Sequence, residues 1–327
     1  MNRWLIPLLL LALLLLSAIS LLAGTIWLSP AETLAALLNP GPDLIELAIT
    51  EVRLPRLVLA LLVGGILGLS GAVLQGLLRN PLAEPGLLGV SSGASLGAVI
   101  ALYYGFAAGF TLATPLFALL GALSTISIAL LLSRSGGTLS LILAGVAVST
   151  IASAGVSLAL NLAPNPFAAY EIMTWLMGSL SDRSWEHVAL AAPFILLGGL
   201  LLLLTAPALD ALTLGERQAE SLGVDLGRTR LLALFGTALG VGAATAVTGA
   251  IVFVGLVAPH LVRPLVRHQP GAVLVPAGLV GAIIVLAADI ATRLLRVGPE
   301  IKLGVFISVI GAPFFLWLVL HLRKTSP

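Results

Sequence analysis

Ten hydrophobic segments occupy nearly all of the chain and leave only short polar connections between them. A helix rises about 1.5 Å per residue and the hydrocarbon core of a bilayer is about 30 Å thick, so about 20 apolar residues complete one crossing. The segments fall near residues 5–27, 54–78, 88–107, 112–133, 139–163, 188–207, 229–249, 256–267, 272–296 and 303–322. At membrane depth every backbone polar group must be satisfied within the protein, and a helix does this segment by segment. The expectation is an all-α polytopic membrane protein, one domain over residues 1–327 with about ten transmembrane helices. With 59% hydrophobic and 9% charged residues, no soluble domain fits between the spans.

The remaining composition excludes several chemistries. The formal charge is only +2 and the cationic residues are scattered over connections, so no basic stretch could track a nucleic-acid backbone. The absence of cysteine removes disulfides, thiolate metal sites and cysteine nucleophiles. His187, His260, His268 and His321 show no metal-ligand spacing and read as interfacial polar residues. No Gly-x-x-x-x-Gly-Lys-Ser/Thr phosphate loop occurs, so the chain is not itself an ATPase, and no resident cofactor is expected. Glycines inside the spans (Gly64, Gly65, Gly68, Gly71, Gly198, Gly199) predict close helix packing, because small residues let backbones approach where lipid supplies no hydrophobic force.

The start, Met1-Asn2-Arg3 before a leucine run that ends at Leu22-Ala23-Gly24, has the layout of a signal peptide. The apolar stretch exceeds a usual signal core, and a retained first helix is expected. Ten crossings put both termini on one side. With the termini inside, Arg3, Arg79, Arg134, Arg217, Arg228, Arg230, Arg263, Arg267, Arg323 and Lys324 fall inside, against Arg53, Arg56, Arg183, Arg293, Arg296 and Lys302 outside. That excess follows the positive-inside tendency.

The eighth segment is too short to cross alone, carries Pro259 and Pro264, and follows a glycine-bounded entry from Gly249 to Gly255. It predicts a short, broken helix. Irregular backbone at this depth survives where it is buried in protein or lines a water-filled cavity, which makes it a candidate pathway wall or hinge. A proline kink between packed helices is the other reading. Ser70-Gly71-Ala72-Val73-Leu74 is echoed by Thr248-Gly249-Ala250-Ile251-Val252, a pattern that would suit an inverted repeat. Asp289 lies in an otherwise apolar span. Such residues are costly and suggest function, although pairing with Arg293 one turn on is the favoured reading over proton coupling.

The largest polar connection on the inner side covers residues 208–228. Helix formers from Glu216 to Leu222 are followed by Gly223, which can end a helix in the left-handed region. Read by pattern alone, this is either a solvated connector or a short lever held between two spans.

Its sequence, Leu214-Gly215-Glu216, Ala219 and Leu222-Gly223, resembles the coupling segment of the permease subunits of ABC importers for iron-siderophores, heme and cobalamin. Further stretches are similar to the same family: Arg53-Leu54-Pro55-Arg56, Gly71 to Gln75 running into Asn80-Pro81-Leu82-Ala83-Glu84-Pro85-Gly86, Trp175 to Leu180, Gly249 to Arg263, and Gly311-Ala312-Pro313. The resemblance implies a homodimer in the bacterial inner membrane with both termini cytoplasmic and a pathway along the dimer axis. It implies two cytoplasmic ATPase subunits gripping Leu214, Gly215, Glu216, Gln218, Ala219, Leu222 and Gly223. It also implies a cytoplasmic gate at Asn80, Pro81, Leu82, Thr138 and Ser140, and a periplasmic or lipid-anchored binding protein docked at Arg53, Arg56 and Arg293. Glu216, Gln218 and Ala219 are expected to face the ATPase. Gly136-Gly137 departs from the family pattern beside the gate. The stretch Ser29 to Leu34 looks more like the iron group, so a ferric siderophore is the expected cargo, with heme or cobalamin as alternatives and an ion-coupled secondary transporter as a more remote one.

Overall fold

The computed structural model describes residues 3–24, 26–110, 112–133, 137–295 and 301–325. Arg134, Gly136 and Arg296 of the charge and gate expectations lie outside these, and the side chains of Thr138, His321, Arg323 and Lys324 are likewise outside the description. Among the described residues the secondary structure is helical with no strand. The chain runs through α1 (Leu5–Leu22), α2 (Pro30–Leu38), α3 (Leu54–Leu77), α4 (Val90–Tyr103), α5 (Ala113–Leu132), α6 (Thr138–Asn161) and α7 (Pro166–Leu176). It continues through α8 (Trp185–Leu203), α9 (Ala206–Leu212), α10 (Glu216–Ser221), α11 (Leu226–Thr248), α12 (Val254–Val262), α13 (Pro270–Leu294) and α14 (Leu303–Thr325).

Among the described residues, seven helices are long and apolar enough to cross a membrane, and three shorter apolar helices cover Val90–Tyr103, Val254–Val266 and Leu303–Leu318. Each of the ten expected segments coincides with one of these helices. Hydropathy did not reveal α2, α7 or α9, because these helices lie between the spans and are too short to show as apolar runs; α2 and α7 are set by capping. Ser29 and Glu32 form a reciprocal capping box at the start of α2, and Asn165 accepts the Ala168 N–H at the start of α7. The segment before α3 is also helical, a turn at Leu44–Leu47 leading through a π-helical stretch at Ala48–Arg53.

The interior is organised around α3 and α11, each 78% buried over its span window, whereas α1 is only 11% buried and lies at the periphery. Antiparallel α3 and α13 are packed backbone to backbone. A Cβ at Gly64 or Gly68 would overlap the backbone of Gly281 or Ala277, and one at Gly281 would overlap Gly64. The same device joins α4 to α5 at Gly93, Gly97 and Gly121, and α8 to α11 at Gly198 and Gly236. Small residues thus do the packing the sequence assigned to them.

Two irregular segments enter the interior from opposite ends. After α3, residues 78–84 turn back alongside the helix into a 3₁₀ turn at Pro85–Leu88, and Gly89, at φ +81°, starts α4. After α11, Gly249 (φ +74°) and Phe253 (φ +68°) break the chain before α12, which ends in a 3₁₀ turn at Arg263–Val266. The eighth helix is short, as expected, with its breaks before Val254 and at the Pro264 turn, while Pro259 lies inside the helix. The sequence echo is not a repeat of conformation, for Ser70–Leu74 lies within uninterrupted α3 while Thr248–Val252 spans the end of α11 and the break.

Candidate functional site

The two irregular segments meet. The Glu84 carboxylate accepts the backbone N–H of Phe253, and a Cβ placed on Gly255 would lie 3.2 Å from Pro85 Cδ. Gln75, buried in α3, donates through Nε2 to the Gly255 carbonyl at 3.3 Å and accepts from Arg263 Nη2 through Oε1. One polar chain therefore joins α3, the turn after it and both ends of α12. Buried amides and cations are stable at such depth only with partners of this kind.

Asn80 organises its own turn. Its Oδ1 accepts the Leu82 N–H at 2.9 Å and its carbonyl accepts the Ala83 N–H at 3.1 Å. Asn80, Pro81 and Leu82 are half-buried at the end of the bundle where α10 sits, and so is Ser140 in the first turn of α6. The turn approaches α6 further along, where a Cβ on Gly145 would lie 2.8 Å from the Leu87 carbonyl oxygen, and Ser92 bonds Ser149 at 2.8 Å. Asn80, Pro81, Arg79, Gln75, Arg263, Leu209 and Thr213 line a cleft of about 230 Å³ between this turn and α9. Sequence reasoning named the turn but not its neighbour across the cleft.

The short helix between Gly215 and Gly223 forms as expected, with φ of +104° and +86° at the two glycines, values that glycine adopts without a Cβ penalty. Arg217, Gln218, Glu220, Ser221, Leu222 and Gly223 are exposed, and Leu214 and Leu222 present 61% and 65% of their surfaces. Glu216 is half-buried and pairs with Arg230 at 3.3 Å. Ala219 corrects the expectation for its side chain. It is fully buried, because the 216–221 turn sets it on the inner face against the core, with its carbonyl accepting the Val224 N–H.

Arg56 and Arg293 converge on Asp289, which is completely buried, and Arg53 stands beside them on the end of α1. Arg56 Nη2 and Nε each lie 2.8 Å from Asp289 Oδ1, and Arg293 Nη2 lies 2.9 Å from Oδ2. The Asp289–Arg293 pair was legible from its one-turn spacing, whereas Arg56, 233 residues away in sequence, was not. Arg293 also donates to the Ser20 and Ala23 carbonyls at 3.0 and 2.9 Å and to Ser20 Oγ at 2.6 Å. Arg53 donates to the carbonyls of Leu21, Leu22 and Ile26. The last carbonyls of a helix lack intrahelical partners and carry partial negative charge, so two guanidinium groups fit this end of α1. Arg293 is buried, and its described contacts are all made within the chain rather than at an open rim.

One further surface has a pattern that apolar counting missed. Leu143, Ala147, Thr150, Ala154, Ser157 and Asn161 recur at three- and four-residue intervals on α6, and all are exposed. Thr150 and Ser157 hydroxyls donate to the carbonyls of Val146 and Ser153. A face of small and hydroxyl-bearing residues on a span-length helix is suited to water or to another protein surface rather than to lipid tails.

These features define a polytopic helical membrane protein whose irregular segments meet beside an exposed helix face of mostly small and hydroxyl-bearing residues. The chain matches the FecCD transport family over residues 10–321 and belongs to it. It is 36% identical over 322 residues to the Fe(3+)-citrate import system permease protein YfmE of Bacillus subtilis, covering 97% of this chain and 96% of that one. It is 41% identical over 322 residues to the vitamin B12 import system permease protein BtuC of Salmonella paratyphi A, covering 97% and 95%. Against the hemin transport system permease protein HmuU of Yersinia pestis the identity is 39% over 279 residues, covering 84% and 83%. A solved structure of a metal-chelate type ABC transporter in an inward-facing conformation superposes with a TM-score of 0.86 at 36% identity, covering 98% of this chain and all of that one. The chain is thus an ABC importer permease, not itself an enzyme.

Proposed function

We propose that the protein is the membrane subunit of an ATP-driven importer that carries a ferric siderophore across the bacterial inner membrane. The observation that carries the reading is the exposed stripe on α6. In a single copy this face would meet hydrocarbon. Paired with a second copy it lines an aqueous route, floored by the Pro85–Leu88 turn that packs against α6 and α12. Ten crossings, both termini cytoplasmic, and a gate at Asn80, Pro81, Leu82, Thr138 and Ser140 complete this arrangement. The exposed face around Leu214 and Leu222 receives an ATPase subunit on each copy. A binding protein docks at the opposite end, where Arg53, Arg56 and Arg293 act mainly by holding the mouth of the route in shape.

The iron-citrate relative and the metal-chelate structural neighbour support a ferric chelate as the cargo, and the hemin and vitamin B12 relatives define the competing outcomes. The test is uptake into proteoliposomes holding this chain, its cognate ATPase and its binding protein. Radioactive ferric siderophore should accumulate only with ATP and the ATPase present. Accumulation of hemin or cobalamin instead would replace the cargo, and uptake driven by an ion gradient without the ATPase would replace the mechanism.

A further inference from the structure

Asp210 lies in α9, within the 208–228 connection and four residues before Leu214, where the coupling motif expected from the sequence begins. Its carboxylate reaches across 61 residues of sequence to the start of α13. Oδ1 accepts the Gly271 backbone N–H at 2.7 Å and Oδ2 accepts Gln269 Nε2 at 2.9 Å. Gln269 occupies the cap position of α13 and Pro270 follows it, so the helix start offers free N–H groups and no capping side chain of its own. Asp210 supplies that cap from another helix, with its negative charge at the positive end of the α13 dipole. Beside it, fully buried Leu209 wedges between Gly76 of α3 and Pro270 of α13. On the other side, Thr213 Oγ1 donates to the Asp210 carbonyl at 2.7 Å, which fixes the turn into α10.

Two connections lead out of α10 into the bundle. Towards α11 there is the Gly223 joint, spanned among the described residues by the single Val224 N–H to Ala219 carbonyl bond, and the partly exposed Glu216–Arg230 pair, a surface ion pair of a kind that contributes little rigidity. Towards α3 and α13 there is the Asp210 cap and the Leu209 wedge, and these two helices are then locked along their length by the glycine contacts of Gly64, Gly68 and Gly281. The C-terminus of α3 opens directly into the Asn80 turn.

We propose that Asp210 is a positioning residue for coupling: α9 and the start of α13 move as one rigid unit, which carries displacement of α10 into the α3–α13 pair and so to the Asn80 turn, while the joint at Gly223 flexes. This rests on the ATP-driven importer reading. The test uses the reconstituted complex of the full chain with its ATPase and binding protein. A Cβ placed on Gly271 lies 2.8 Å from Asp210 Oδ2, so Asp210→Cys with Gly271→Cys is within disulfide reach, and the chain has no native cysteine. Locked by oxidation, this variant should keep ATP-driven transport. The reduced form, which lacks the Asp210 carboxylate, should transport less than the oxidised one, and an oxidised form that transports no better than the reduced form would overturn the inference. Asp210→Ala should keep ATP hydrolysis but lose transport, and Asp210→Asn, whose amide oxygen still accepts the Gly271 N–H, should restore the transport-to-hydrolysis ratio. A wild-type ratio in Asp210→Ala, or its loss in Asp210→Asn as well, overturns it. Where Asp210→Ala fails to assemble, the double-cysteine variant decides alone. Absence of ATP-dependent uptake in the unsubstituted complex would instead count against the importer reading.

Discussion

Asp289 sits fully buried between the guanidinium groups of Arg56 and Arg293, so two cations share one carboxylate inside an otherwise apolar region. Burying an ion costs several kcal/mol, and the cost is offset only while every partner is present. Removing the carboxylate therefore harms the protein more than its three short contacts suggest, since both arginines are left without this anion. Asp289→Ala should lower the stability of the purified protein by about 3–5 kcal/mol, read as a lower melting temperature in detergent. An unchanged melting temperature would separate this acid from the fold and reopen a role in proton coupling. The same reasoning divides the residues around α10. Ala219→Glu places a charge into a fully buried position and should lower the melting temperature. Leu222→Asp, on an exposed residue, should leave melting unchanged and weaken association with the ATPase in pull-down from detergent.

At the scale of helices, the long spans were legible because a bilayer demands length and apolarity, and both are visible in one dimension. The short eighth helix was legible too, because its apolar stretch is too short to cross alone and follows the glycine-bounded entry from Gly249 to Gly255. What escaped is whatever depends on side chains far apart in the chain. Capping of α13 by Asp210 needs residues 61 apart, and the α3–α12 link through Gln75 and Arg263 needs residues 188 apart. The inward turn of Ala219 escaped for a different reason, since a six-residue helix has too little periodicity to show which face it buries. In-span glycines predicted close packing but not the pairing of helices. That pairing makes a sharp contrast testable. Gly68→Val should abolish recovery of monodisperse protein, because its side chain would occupy the backbone of Ala277. Gly137→Ala, with nothing within 4 Å of the added carbon, should be tolerated. Equal recovery of the two would show that α3 and α13 are not in backbone contact.

For the molecule as a whole, the exposed α6 face and the adjoining Asn80 turn suit a second copy across a shared axis. Cysteines introduced at Leu82 or Ser140 should then cross-link between protomers, with no background from native thiols. No cross-link at either position in any nucleotide state would count against a gate there. The arginine clasp on α1 has a consequence for how the protein is made. Arg293 donates to carbonyls of residues 270 and 273 positions earlier, so α1 leaves the ribosome long before this contact can fasten it. At about 5–20 residues per second, synthesis alone separates the two events by roughly 15–50 s. Throughout that interval Arg53 alone of the two guanidinium groups is available to the end of α1, and the second half of the clasp waits for α13.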